Sequence, residues 1–89
     1  STHTISLRQT ECQKTGETIT AAVYEYLVDN DGEWGELRFD FENGTAEVVR
    51  LADWDTVKSN VFAKTAIRFV QELPEARLLQ EKAVLVCYV

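Results

Sequence analysis

The segment Thr18–Val28 constrains the fold of this chain most, because it is apolar on both sides. Alternate residues of a strand point to opposite faces of a sheet. The two sets here are Ile19, Ala21, Val23 and Leu27 on one face, and Ala22, Tyr24, Tyr26 and Val28 on the other. Two apolar faces are typical of a central strand that is covered on both sides. We therefore predict a sheet with this segment at its centre.

The neighbouring segments predict further strands. One runs roughly from Thr4 to Cys12, with a turn around Gly16 before the central segment. Residues 37–41 alternate between apolar and charged side chains, and Asn43-Gly44 favours a two-residue type I′ turn to the next strand. That turn predicts a register in which Phe41 lies opposite Ala46, Phe39 lies opposite Val48 and Asp40 faces Glu47.

A helix is predicted over Trp54–Glu72, with Asp53 as its N-cap, Asp55 in its first turn and Pro74 ending it. Its apolar arc faces the sheet and comprises Phe62, Ala63, Ala66, Ile67, Phe69, Val70 and Leu73. Residues 75–80 predict a short helical turn within the segment Pro74–Lys82, and Ala83–Val89 predicts a final strand with two apolar faces.

The predicted fold class is α+β. A four-stranded antiparallel meander is followed by one long amphipathic helix packed on the sheet and by a C-terminal strand, in the order β-β-β-β-α-β. A chain of 89 residues has room for one modest core, so residues 1–89 are expected to form a single domain.

The charge of the chain is unevenly distributed. The net charge is −6, yet residues 1–56 hold twelve acids and four bases, whereas residues 57–89 hold three acids and five bases. The acidic excess within Glu25–Asp55 has two interpretations: solubility with protection of sheet edges, or a docking surface for a basic partner. Binding to nucleic acid is disfavoured, because phosphate backbones require clustered cations, and binding to anionic membranes is disfavoured for the same reason.

The ends and the cysteines bear on the compartment. No signal peptide is recognisable at Ser1–Thr4, and the longest apolar run, Ala83–Val89, is too short to span a bilayer. Cys12 and Cys87 are too few and too far apart for a disulfide scaffold, so both are interpreted as reduced thiols, with a bridge between them as the alternative if the first and last strands are neighbours. These features predict a cytoplasmic protein.

The residue types that carry catalysis or bind metals form no recognisable pattern. His3 lies near the chain start, where ends are commonly mobile, and nothing indicates a polarised pocket that pairs it with Cys12 or Cys87. Asp29-Asn30-Asp31-Gly32-Glu33 resembles a calcium loop only superficially, because Trp34 occupies the position that requires glycine. We expect no catalytic residue, no metal and no cofactor.

Several exposed candidates for interaction remain. Trp54, Val57 and Val61 fall at i, i+3 and i+7 of the predicted helix, beside Lys64 and Arg68. They form either an interaction strip or a surface covered by Pro74–Lys82 or by the sheet edge. Tyr24 and Tyr26 extend the first possibility to a homodimer, and both tyrosines together with Trp34 could stack bases.

The function predicted from these features is that of a small acidic protein acting through protein–protein interaction without catalysis. An inhibitor, an immunity protein, an adaptor or a homo-oligomer is of this kind. Two alternatives stay open: binding of single-stranded nucleic acid on the sheet face, and binding of a small ligand between helix and sheet or at a subunit interface.

Overall fold

A computed structural model describes residues 1–58, 60–78 and 80–89 of the chain. Within them, the strands are β1 (Thr2–Thr15), β2 (Thr18–Val28), β3 (Gly35–Asp40), β4 (Thr45–Arg50) and β5 (Lys82–Tyr88). Three short helices separate β4 from β5, namely α1 (Asp55–Lys58), α2 (Val61–Gln71) and α3 (Glu75–Leu78). The α+β class is therefore confirmed, and the predicted meander and C-terminal strand join in one sheet.

The five strands are all antiparallel to their neighbours and follow the order β4-β3-β2-β1-β5. The strand with two apolar faces, β2, is central, as predicted. Its face with Tyr24 and Tyr26 is buried in one core with the α2 residues Phe62 and Val70. On its other face no helix packs in the described part of the chain; Val23 is half-buried and Leu27 is buried. The expected cover is therefore complete on the helix face and only partial on the other.

The predicted register of the β3–β4 hairpin is wrong by two residues. Phe39 lies opposite Ala46, and Arg38 rather than Asp40 lies opposite Glu47. The cause is the Asp40 side chain, whose Oδ1 accepts the backbone N–H groups of residues 42 and 43, each at 3.1 Å. These bonds close a longer loop, Phe41–Gly44, in place of the two-residue turn. A shift of two residues keeps every side chain on its predicted face.

The long helix predicted over Trp54–Glu72 is divided into α1 and α2. Asn60 has a left-handed backbone with φ of 59°, which interrupts the helical path, and Ser59 lies outside the described residues. The fully buried Asp55 side chain accepts the N–H groups of Phe62 and Ala63, both at 2.8 Å. It thereby caps the first turn of α2 from the preceding helix.

The predicted cap Asp53 has a different role. Its carboxylate accepts the backbone N–H of Glu33 at 2.9 Å and so holds the β2–β3 loop. Tyr26 fixes Asp55 instead, because the Tyr26 hydroxyl donates to the Asp55 carboxylate and accepts the N–H of Ala52 at 3.0 Å. The helix break is therefore stabilised by residues from β2 and from the segment after β4.

The buried side of α2 agrees with the predicted apolar arc. Phe62, Ala63, Ala66 and Val70 are buried, and Ile67, Phe69 and Leu73 pack against the core. The segment Pro74–Lys82 contains α3 and the start of β5, while Leu79 lies outside the described residues. None of the helices in the described part of the chain has the length and apolarity needed to cross a membrane.

Candidate functional site

The most exposed apolar side chains of the sheet lie along β5. Val84 and Val86 are each 68 % exposed and Tyr88 is 82 % exposed. All three point to the sheet face on which no helix of the described residues packs, and we call them the β5 strip. The alternate residue Leu85 is buried in the core. Because side chains alternate between the two faces of a strand and both faces of β5 are apolar, burial of Leu85 leaves Val84, Val86 and Tyr88 in solvent.

The strand that carries this strip is an edge of the sheet. β5 pairs with β1 on one side through a regular register from Thr2–Tyr88 to Arg8–Lys82, and no strand of the described chain pairs with its other side. An edge strand presents unpaired backbone groups to solvent, and an apolar one is a template for pairing with another chain. The β5 strip therefore has both the backbone and the side chains of a binding edge.

The opposite edge, β4, is built differently. A register shift lies between Glu36 and Leu37, where β4 advances from Arg50 to Val48 and leaves Val49 as an extra residue. β4 also carries Glu47 and Arg50 as exposed charges. Bulges and charges are the devices by which proteins prevent pairing at a sheet edge. β5 has a regular register and, after Lys82, no charged residue.

A cluster of charged side chains lies beside the strip on the same sheet face. Glu25 contacts Arg8 Nε at 2.8 Å and an Arg50 terminal nitrogen at 3.4 Å. The Arg8 guanidinium lies 3.8 Å from the centre of the Trp34 ring. The predicted interaction residue Trp34 therefore already makes a cation–π contact within its own chain. The charges of Arg8, Glu25 and Arg50 are therefore paired with one another within the chain.

The predicted helix strip is not formed as one surface. Trp54 and Val57 are exposed, the latter by 79 %, whereas Val61 packs partly against the core. The break at Asn60 removes the continuous helical spacing on which the strip depended. Lys64 and Arg68 are exposed on α2. Trp54 and Val57 line a shallow depression of about 360 Å³ together with Asp31, Gly32 and Asp53.

Tyr24 and Tyr26 lie in the core between sheet and helix, which corrects their expected place on an accessible face. Their hydroxyl groups are bonded within the chain: Tyr24 accepts from Gln9 at 3.0 Å, and Tyr26 contacts Asp55. Side chains in these positions cannot meet a partner of the folded monomer or stack bases, because the helices cover them. The proposed base-stacking platform therefore loses two of its three aromatic residues.

One Cys–His–Asp grouping, which sequence reasoning did not anticipate, lies at the far end of β5. His3 is half-buried in β1, its Nδ1 lies 2.6 Å from Asp29 Oδ2, and Cys87 is its cross-strand neighbour. Hydrogen bonds from His3 and then from the Thr4 amide lower the pKa of Asp29. Burial, and secondarily the Asp29 charge, raises the pKa of the Cys87 thiol. A nucleophilic cysteine needs the opposite shift.

The remaining candidates for chemistry are occupied by structural contacts. Asp29, the first residue of the segment that superficially resembles a calcium loop, accepts a hydrogen bond from the backbone N–H of Thr4 in β1. Among the described residues, no group of three or more His, Cys, Asp or Glu side chains could hold a metal ion. Cys12 and Cys87 are free thiols. β1 and β5 are neighbours, but Cys12 lies beyond the stretch Thr2–Arg8 that pairs with β5.

Sequence reasoning missed the β5 strip, although one signal was present. The final strand was recognised as apolar on both faces, a pattern that indicates either a central strand or an edge strand with an unmet contact surface. Strand order distinguishes the two, and β5 is at the edge. Comparison of the chain with protein-family models, with curated proteins and with solved structures returns no match.

Proposed function

We propose that this protein acts through contact with another protein chain, without catalysing a reaction, and that the β5 strip and the free edge of β5 form the contact surface. The observation that carries the proposal is the exposure of Val84, Val86 and Tyr88 side by side on an edge strand that has a regular register and no charged residue after Lys82. Inhibitors, immunity proteins, adaptors and homo-oligomers act through surfaces of this kind.

Physical considerations support this surface over the acidic half of the chain. Well-packed, desolvated side chains at the centre of an interface, tyrosine among them, contribute most of its binding free energy, whereas exposed ion pairs contribute little. Glu25, the acidic residue of the charged cluster beside the strip, is already paired with two arginines. Binding at an edge strand also adds main-chain hydrogen bonds, which supply affinity while the side chains supply specificity.

The compartment we propose is the cytoplasm. The support is the pair of free thiols, Cys12 and Cys87, of which Cys12 is exposed. Exposed free thiols are typical of reducing compartments, because an oxidising environment converts them to disulfides.

Site-specific photocrosslinking tests the proposed surface in the cells that make the protein. A benzophenone amino acid replaces Tyr88 in one variant, Val57 in a second and Val49 in a third; all three positions are exposed. We expect a discrete protein adduct from position 88 that disappears when Val86→Lys is added. Val49, on the protected edge β4, is the matched control.

Two results would contradict the proposal. Absence of any discrete adduct from position 88 would exclude a stable partner at β5. A discrete adduct from position 57 alone would move the interaction to the depression beside Trp54 and Val57.

A further inference from the structure

We propose that the partner of β5 is a second copy of this chain, paired antiparallel about a two-fold axis so that the two five-stranded sheets become one. This inference rests on the proposed function, because it names the occupant of the same surface. Antiparallel pairing of identical edges is a closed, isologous contact, which limits assembly to a dimer.

The hydrogen bonds to β1 show which backbone groups of β5 are available. Ser1 and Val89 exchange both backbone bonds, at 2.8 and 2.9 Å, and the Gln9 N–H donates to the carbonyl of Glu81 at 2.7 Å. In an antiparallel pair, bonded and non-bonded residues alternate. The odd-numbered residues of β5 therefore face β1, and the even-numbered residues direct their N–H and C=O groups to the free edge.

The outward residues are Lys82, Val84, Val86 and Tyr88, and three of them form the β5 strip. A two-fold axis at Leu85 places Val84 opposite Val86 of the second copy, and Lys82 opposite Tyr88 of the second copy. This register uses every outward N–H and C=O of the four residues, whereas a shift of the axis to Val84 or Val86 leaves some unpaired. It also joins valine to valine and an ammonium group to an aromatic ring, both favourable cross-strand pairs.

The charge distribution permits self-association despite the net charge of −6. β3 and β4, which carry Glu36, Asp40 and Glu47, lie on the side of the sheet away from β5. Neighbouring strands are about 4.8 Å apart, so β4 is about 19 Å from β5 within one copy and further from the second copy. That separation exceeds the screening length of about 8 Å at physiological salt, so repulsion between these β3 and β4 acids across the dimer is weak.

Sedimentation equilibrium over a range from low to high micromolar concentration tests the dimer. Because the Val86 N–H points away from β1, Val86→Pro removes an outward donor and no bond of the monomer. We expect the wild type to dimerise, and Val86→Pro and Val86→Lys each to raise the dimer dissociation constant at least about 100-fold. Val49→Lys, on β4, is the matched control and is expected to leave the constant unchanged. Urea unfolding of each variant verifies that its monomer is folded. If the Val86→Pro monomer is not folded, Val86→Lys alone provides the test of the dimer.

Cysteine pairing tests the register. In a Cys12→Ser, Cys87→Ser background, proteins carrying Val84→Cys and Val86→Cys are oxidised separately and as a mixture. Paired residues in such a ladder have Cα atoms about 5.5 Å apart, within the range of a disulfide. The axis at Leu85 predicts crosslinked dimer predominantly in the mixture; preferential crosslinking of either protein alone would overturn this register.

The outcomes separate this inference from the proposed function. If the wild type is a monomer at high micromolar concentration, the proposal that the partner is a second copy is wrong. If the Tyr88 crosslink then yields a different protein, the contact surface stands and only its occupant is wrong. If position 88 gives no adduct and the wild type is monomeric, both proposals fail.

Discussion

Removal of the Asp55 carboxylate is expected to destabilise the protein more than any surface change. The Asp55 side chain is fully buried and accepts from the Tyr26 hydroxyl and from the N–H groups of Phe62 and Ala63. Asp55→Ala leaves these three donors without their acceptor. Each unsatisfied buried donor costs about 1–3 kcal/mol, and water entering the new cavity recovers part of this. We expect a total loss of about 3–5 kcal/mol in the free energy of unfolding.

The isosteric Asp55→Asn separates charge from shape. The asparagine keeps one acceptor oxygen, but its NH₂ group replaces the second carboxylate oxygen and so faces a hydrogen-bond donor instead of accepting from it. We therefore expect a loss of about 2–3 kcal/mol. A domain of 89 residues has a total stability of about 4–13 kcal/mol, so both losses are large fractions of it.

Urea unfolding followed by circular dichroism measures these losses. Combination of each substitution with Tyr26→Phe forms a double-mutant cycle, in which we expect a coupling energy above about 1 kcal/mol. The Tyr26 hydroxyl also accepts the Ala52 N–H, so Tyr26→Phe alone is itself destabilising. A loss below about 1 kcal/mol for Asp55→Asn would refute the reasoning, because the capping of α2 would then not depend on the carboxylate.

Three further predictions concern the backbone and the tyrosine core. Gly35→Ala should lower the free energy of unfolding by about 3 kcal/mol or more, since its Cβ would lie 2.2 Å from the Tyr26 ring. Gly44→Ala has open space around it but a φ of 66°, and should lower the free energy of unfolding by only about 1 kcal/mol. Equal losses for the two variants in urea unfolding would contradict the packing argument. Burial, and then the bond to Asp55, raise the pKa of Tyr26 above its usual value of 10.0. The unfolded tyrosine ionises first as pH rises, so stability should decline above about pH 10, and less steeply in Tyr26→Phe; identical slopes in pH-dependent urea titrations would exclude this linkage. Asn60 has a φ of 59°, which glycine adopts easily and alanine does not, so Asn60→Gly should equal or exceed the wild type in thermal stability and Asn60→Ala should lose about 1 kcal/mol. The reverse order would show that the left-handed backbone at residue 60 is not strained.

Most of the fold was predictable because its determinants are local. The two apolar faces of Thr18–Val28 indicated a central strand, and β2 has these bounds and this position. The apolar arc of α2 followed from helical periodicity alone. These patterns depend on which residues are apolar and on the repeat of the backbone, and both are present in the sequence.

The helix break and the hairpin register were not predictable in this way. Each depends on one carboxylate that bonds backbone amides in competition with the expected structure: Asp55 at α2 and Asp40 in the loop after β3. Asp55 is further held by Tyr26, which is distant in sequence. Periodicity does not record such bonds, so the sequence favoured an unbroken helix and a shorter turn.

The candidate site shows the same division. The sequence by itself determined that the final strand has two apolar faces, that Val84, Val86 and Tyr88 share one of them, and that twelve of the fifteen acidic residues precede residue 57. Only the tertiary structure decided that this strand pairs with β1 at the sheet edge, and that the helices cover the opposite face. The physical reason is that side-chain alternation is set by each strand's own backbone, whereas strand order and covered faces result from contacts between segments far apart in the chain. The same valines would be core residues in a central strand; at the edge they are a surface for another chain.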